Sequence, residues 1–292
     1  MNLLELLGFI VRHPLNRTGR AAAVARFVRW QLASRILGQA AVLPFVNETR
    51  LLVRRGMTGA TGNWYTGLHE CADMAFVLHV LRPGDLFVDV GANVGSYTVL
   101  AAGAAQADAI AVEPVPSTFS SLADNIALNA LGVRVELRCC GLSASAGMLT
   151  FTAGLDTMNR VARQRESGPV VTVPVTTLDE LCRTRIPLVL KIDVEGHELA
   201  VLDGAQSVLS NPGLRAVVME TNGSGARYGH SDGDLVERMR AAGFLPCRYD
   251  WNKRRLQPVG RGGQNTIFVR APDELSRRCQ AAPQFRLVNG TI

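Results

Sequence analysis

Cysteine is sparse and unpatterned. Six residues (Cys71, Cys139, Cys140, Cys182, Cys247 and Cys279) stand in 292 positions, none in a C-x-x-C pair, and adjacent Cys139 and Cys140 are poor partners for each other. This excludes a disulfide scaffold and a thiolate metal cluster, and the expectation is a reduced compartment with structural thiols. Aromatic residues make up 6% of the chain, and few are interleaved with its N-terminal arginines, so no nucleic-acid partner is expected. No apolar run reaches the ~18 residues of a spanning helix, and no charged-then-apolar leader ends in a small-residue cleavage site. The expected location is cytoplasmic, at most peripheral to the inner face of a membrane. Internal repeats and low-complexity tracts are also absent.

Hydrophobic residues, at 47%, are sufficient for a sizeable core. Charge is uneven. Residues 1–62 hold nine Arg against two Glu, whereas the rest of the chain is close to neutral. In this segment Leu3, Leu4, Leu7, Phe9 and Ile10, and then Val24, Phe27, Val28, Trp30 and Leu32, recur at roughly helical spacing between Arg26, Arg29 and Arg35. Two readings stay open for residues 1–40: a helix that packs its stripe on the main domain, or one that lies on an anionic membrane. The division expected is a basic helical extension over 1–48, one catalytic domain over 49–273 and a tail over 274–292.

From residue 84, β-rich runs alternate with helical stretches, the pattern of a parallel sheet covered on both faces. "LFVDVGA", "AIAVEP", "VRVELRCCGLS", "LVLKID" and "LRAVVMET" read as successive strands. Helices are expected over 95–105, 116–130, 197–209 and 231–242, with a hairpin excursion around a polar loop at 154–169. "LPCRYDW" and "NTIFVRA" close the sheet, "RLLVRRGMTGATGNWYTG" suggests a small β element ahead of it, and "HECADMAFVLHVL" a helix.

The turn "DVGANVG" sets glycines between a strand and a helix, where a residue without Cβ lets backbone approach a ligand closely. Its spacing is not the G-x-G-x-x-G of a dinucleotide site. Asp89 would repel a pyrophosphate but attract the ammonium and sulfonium of S-adenosylmethionine. Glu113 closes the next strand, where a carboxylate can accept both hydroxyls of a ribose. These features count against a nicotinamide-dependent oxidoreductase.

"FVDVGANVGSYT", "AVEPVP", "TTLDEL", "LKIDVEGHE", "METN" and "NTIFV", in this order from about residue 50 to 270, resemble the FkbM family of S-adenosylmethionine-dependent O-methyltransferases. The resemblance implies a class I methyltransferase fold, a Rossmann-like seven-stranded α/β sheet of order 3-2-1-4-5-7-6 with its last strand antiparallel. It also implies a hydroxyl acceptor on a small molecule or glycoconjugate, such as a glycolipid or secondary-metabolite precursor. The cofactor-binding set is then Asp89, Gly91, Asn93, Gly95, Glu113 and, at the end of the third strand run, Ser143.

"LVLKIDVEGHE" raises a separate question, because charged side chains at the end of a buried strand are costly unless paired, hydrated or used. Alternation along an extended chain turns Lys191, Asp193 and Glu195 to one face. With strand five beside strand four, Glu220 joins them at the cofactor mouth. Asp193, Glu195, Glu220 and His197 are the catalytic candidates, as a general base or, for Asp193 and Glu220, as holders of Mg²⁺ or another divalent cation. His230 is a further candidate base, Lys191 a candidate salt-bridge partner, and His69 and Glu70 candidates for closing the pocket. The competing reading is a cofactor-binding module without catalysis, for which the acidic cluster would have no task.

Overall fold

The computed structural model describes residues 3–155, 158–163 and 168–292. Two N-terminal helices, α1 (Leu3–Arg12) and α2 (Arg20–Leu37), lead to a two-stranded ribbon, β1 (Ala41–Pro44) with β2 (Arg50–Val53). Only Arg50–Val53 of the expected early β element is a strand. Thr58–Thr66 forms a helix, α3, despite its glycines. Packing overrides propensity there: a Cβ on Gly62 would lie 2.2 Å from Nδ1 of His69. Helix α4 (Cys71–Val80) follows, buried over most of its surface.

The central sheet begins with β3 (Leu86–Val90), then one helical turn, α5 (Ser96–Val99), which widens into a π-turn over Leu100–Ala104. Next come β4 (Asp108–Val112), α6 (Pro116–Leu128) and β5 (Val135–Arg138). The third strand run divides here. Gly141–Leu142 (β6) leaves the main sheet and joins β7 (Gly147–Thr152) and β8 (Val170–Thr176), which form the expected antiparallel hairpin. Within the polar loop of that hairpin, residues 156–157 and 164–167 lie outside the described residues.

After α7 (Leu178–Leu181) and β9 (Val189–Ile192), the helix expected over 197–209 is two: α8 (Glu198–Asp203) and α9 (Gln206–Ser210). They separate at Gly204, which packs so tightly that a Cβ would sit 2.2 Å from the Ser143 carbonyl. Then follow β10 (Ala216–Glu220), α10 (Asp232–Ala241), β11 (Leu245–Asp250), β12 (Arg255–Pro258), β13 (Asn265–Val269), α11 (Pro272–Gln280) and a short ribbon, β14 (Arg286–Leu287) with β15 (Gly290–Thr291). Ser231 and Asp234 close a reciprocal capping box at the start of α10.

The sheet order is β12-β11-β13-β10-β9-β3-β4-β5. Its last seven members, read from β5, run 3-2-1-4-5-7-6 in core-strand order, with β13 antiparallel to β10. The sheet has eight strands rather than the expected seven, because β12 folds back on β11 as an extra edge. One face is covered by α8, α9 and α10; the other packs on a single apolar cluster that includes Ile10, Phe27, Phe76, Phe87, Leu287 and Ile292. The N-terminal helices and the C-terminal ribbon thus share one core with the sheet. A polar latch reinforces it: Asn289 Nδ2 donates to the carbonyls of Leu15 (3.0 Å) and Thr66 (2.8 Å) and to Oδ1 of Asn16 (2.9 Å). No helix among the described residues is long and apolar enough to cross a membrane.

Candidate active site

A cavity of about 240 Å³ opens at the carboxyl ends of β3, β4, β9 and β10, with α3 and α4 as its far wall. Five carboxylates line it (Glu70, Glu113, Asp193, Glu195 and Glu220), and Lys191 supplies the one ammonium or guanidinium among its described lining residues.

The glycine turn shapes this cavity from within. Gly91 (φ +79°) and Gly95 (φ +89°) are both left-handed, as the strand-to-helix reversal demands. The close approach they permit is to protein rather than to open space. A Cβ on Gly91 would lie 1.9 Å from the Asp193 carbonyl, and one on Gly95 would lie 2.6 Å from Leu122. Gly91 therefore lets the end of β3 nest against the end of β9, which brings the cofactor turn and the acidic turn together.

Glu113 is 5% exposed, and both its oxygens are held: one accepts from the Asn93 amide at 3.0 Å, the other from the Val115 amide at 2.9 Å. Burial pushes its carboxyl up to about 7. Each oxygen keeps a lone pair for a ligand hydroxyl, so the group is pre-aimed. Asp89 is fully buried behind the cavity wall, where it accepts from Thr98 Oγ1 at 2.7 Å and its Oδ1 has no hydrogen-bond partner. Burial raises its carboxyl as well.

The acidic turn follows β9. Lys191 is 4% exposed and donates to Asp193 at 2.8 Å, with its ammonium 4.7 Å from the centre of the Tyr97 ring. Burial alone would lower the Lys191 ammonium, but Asp193, Asp89 and Glu70 together hold it above its ordinary value. The extended ladder expected through Glu195 ends sooner, since β9 stops at Ile192 and Glu195 sits in the left-handed region at φ +55°. That turn still delivers Glu195 to the cavity, and oxygens of Asp193, Glu195 and Glu220 lie within 4.8 Å of one another. Burial and then the neighbouring Asp193 charge push Glu195 up to about 7 and Glu220 up to about 9. Asn222 also holds Glu220, donating at 2.6 Å.

His197 and Ser143 do not line the cavity; they bond each other, Oγ to Nε2 at 3.1 Å. His230 is spent on the Gly196 carbonyl at 2.9 Å. Glu198, fully buried, accepts from the amides of Val194 and Gly196 and so holds the acidic turn in shape. His69 and Glu70 both line the cavity. Sequence reasoning missed Tyr97, Asp73 and Asn265, which form a chain behind Glu70: Tyr97 donates to Glu70 at 2.7 Å, and Asn265 bonds both Glu70 and Asp73. A signal existed for two of them, since Tyr97 and Asn265 lie inside the quoted runs "GSYT" and "NTIFV".

These titrations make stability depend on pH in a definite sense. Burial holds Asp73, Glu113 and Glu195 up at about 7 and Glu220 at about 9, so their contribution is full below their ordinary values near 4 and is lost as pH rises through 7 to 9. Buried histidines act oppositely: His13 is lowered to about 4 and His79 to about 3, and their contribution, present above about 6.5, is lost as pH falls. The two sets oppose each other between about pH 4 and 6.5 and only the carboxyl loss continues above that, so the thermal midpoint is expected to decline from about pH 6.5 to 9, a decline that Glu220→Gln flattens. Scanning calorimetry across pH checks this; a midpoint that climbs steadily to pH ~9 would contradict it.

The fold and its acidic cavity place the chain among α/β proteins that bind a ligand outside the carboxyl ends of a parallel sheet. Residues 89–246 match the methyltransferase FkbM domain, and the chain belongs to that family. It is similar to the hexuronic acid methyltransferase AglP of Haloferax volcanii, 35% identical over 46% of this chain and 56% of that protein. It is also similar to the 31-O-demethyl-FK506 methyltransferase FkbM of Streptomyces tacrolimicus, 29% identical over 56% of this chain and 74% of that protein. The alignment thus spans little more than half the length of the first of these relatives. Among solved structures, a SAM-dependent O-methyltransferase of Thermotoga maritima aligns at 15% identity with a TM-score of 0.39, over 68% of this chain and 63% of that one.

Proposed function

We propose that this protein transfers the methyl group of S-adenosylmethionine to a hydroxyl oxygen of a small, polyhydroxylated acceptor of the sugar type. One observation carries the reading: Glu113 at the end of β4 and the Asp193, Glu195, Glu220 cluster at the ends of β9 and β10 face one cavity. The donor set fits the cofactor in sign, since a cavity lined by five carboxylates attracts a sulfonium and an ammonium and repels a pyrophosphate. Bound there, S-adenosylmethionine would supply an electrophilic methyl carbon. Glu113 and the Asn93 turn would hold its ribose.

The acceptor side is the work of the acidic turn. Asp193, carrying the Lys191 ammonium on one oxygen, is the base that accepts the hydroxyl proton as the oxygen becomes a nucleophile. Glu220, held up to about 9, keeps its proton at neutral pH and donates a hydrogen bond that orients the acceptor. Much of the remaining rate enhancement is positioning. The same three carboxylates could instead hold a divalent cation, which would displace the protons of the raised pair as it bound. The sugar-type acceptor draws support from AglP, whose name specifies a hexuronic acid.

Calorimetry tests the cofactor half. S-adenosylmethionine is expected to bind, Glu113→Ala to weaken it by more than about 1 kcal/mol, and NADH to show no heat. NADH binding without S-adenosylmethionine binding would overturn the reading. Incubation with methyl-labelled cofactor and an extract, followed by identification of the labelled product, tests the acceptor.

A further inference from the structure

We propose that the solvent face of α2 is a docking surface for an anionic lipid bilayer. The apolar residues of this helix divide between two faces. Ala23, Phe27 and Trp30, joined by the polar Ser34, are buried against the domain, as a packed helix requires. The opposite face carries Ala21, Ala25, Val28, Leu32 and Ile36 at spacings of three and four, one continuous stripe. Val28 is 46% exposed, Leu32 57% and Ile36 80%, while α1 adds Leu3 at 60% and Leu4 at 79%. A soluble helix ordinarily presents charged residues on this side.

What flanks the stripe selects its partner. At 3.6 residues per turn, Arg29 and Arg35 fall about 60° to either side of its centre line. No acidic residue occurs in α2, and over residues 3–37 the exposed arginines Arg12, Arg17, Arg20, Arg29 and Arg35 stand against Glu5 alone. An apolar strip between guanidinium rails matches the boundary of an anionic membrane, where side chains enter the acyl edge and cations remain with the headgroups. A second copy of the chain fits poorly, because a self-complementary contact would set these arginines against each other. The stripe can take up lipid without unfolding, since Arg26 on the inner side already anchors α2, donating to the carbonyls of Trp64 (3.0 Å) and Tyr65 (3.0 Å) at the end of α3.

Co-sedimentation of the full chain with vesicles made of equal parts phosphatidylglycerol and phosphatidylcholine, compared with phosphatidylcholine alone, tests the proposal. The protein is expected to pellet with the anionic vesicles and to stay in solution with the neutral ones. Leu32→Glu/Ile36→Glu should weaken partitioning on the order of 100-fold, and Arg29→Glu/Arg35→Glu at least about 10-fold, the latter effect shrinking in high salt. These positions are exposed, so circular dichroism and calorimetric binding of S-adenosylmethionine should match the unaltered protein and report that each variant is folded. Wild-type protein left in the supernatant with anionic vesicles, or a folded Leu32→Glu/Ile36→Glu variant that pellets as well as wild type, would overturn the proposal. So would ultracentrifugation showing a wild-type dimer that the double substitution dissociates while neither form binds vesicles.

Discussion

Asp193→Asn is expected to lower turnover by roughly 10²–10⁴-fold, the range for loss of a positioned general base, with little change in S-adenosylmethionine binding. The separation follows from geometry. Glu113 takes its support from the Asn93 and Val115 amides, whereas Asp193 is held by Lys191, two residues earlier in β9. The amide keeps the shape of the carboxylate and can still accept from Lys191, but it cannot take a proton from the acceptor hydroxyl. Single-turnover assays at saturating cofactor separate this chemical defect from weaker acceptor binding. Near-normal turnover would reduce the acidic turn to a structural ion pair. Activity that disappears in EDTA and returns with Mg²⁺ would instead hand the activating role to a bound cation.

Lys191→Met should destabilise the fold by about 3–5 kcal/mol at neutral pH, the cost of leaving one member of a buried ion pair uncompensated. Lys191 is the cation against which Asp193, Asp89 and Glu70 are balanced, and Met would fill its volume without its charge. The loss also has a direction in pH. With the ammonium gone, Asp73, Asp89 and Glu220, raised by burial and held down by Lys191, are pushed further above their ordinary values, so the deficit grows as pH rises and shrinks as acid neutralises them. Urea unfolding at about pH 5.5 and 7.5 reads both quantities. A deficit below about 1 kcal/mol at both values would show that solvent, rather than Lys191, compensates the cluster.

The main sheet was legible because its strands are continuous apolar runs, and β3, β4, β9 and β10 carry hardly any other signal. Glu113 and Asp193 were legible for a related reason: a charged residue that ends such a run must lie where the strand leaves the core, at the carboxyl end of the sheet. What escaped depends on atoms distant in sequence. Nothing local shows that Gly62 and its neighbours form a helix, since the deciding contact is with His69. Alternation correctly turned Lys191 and Asp193 to one side, but it cannot anticipate that Glu195 adopts a left-handed conformation, after which the period-two rule no longer applies. His197 lies just beyond that reversal, which directs it to Ser143 and away from the cavity. The extra strand β12 is short and polar, and only its pairing with β11 defines it.

The Asn289 latch has a consequence for the order of assembly during synthesis. It joins Asn289 to Leu15 and Thr66, partners 274 and 223 positions away, directly behind α3. Contacts so remote in sequence form late, because the intervening chain must be closed before they can be made. The Glu113 carboxylate, by contrast, takes its support from Asn93 and Val115, within the elements gathered between residues 86 and 128. A nascent chain can therefore set this carboxylate while its C-terminal half is still to be synthesised. The α3 wall that completes the cavity is secured only once Asn289 emerges.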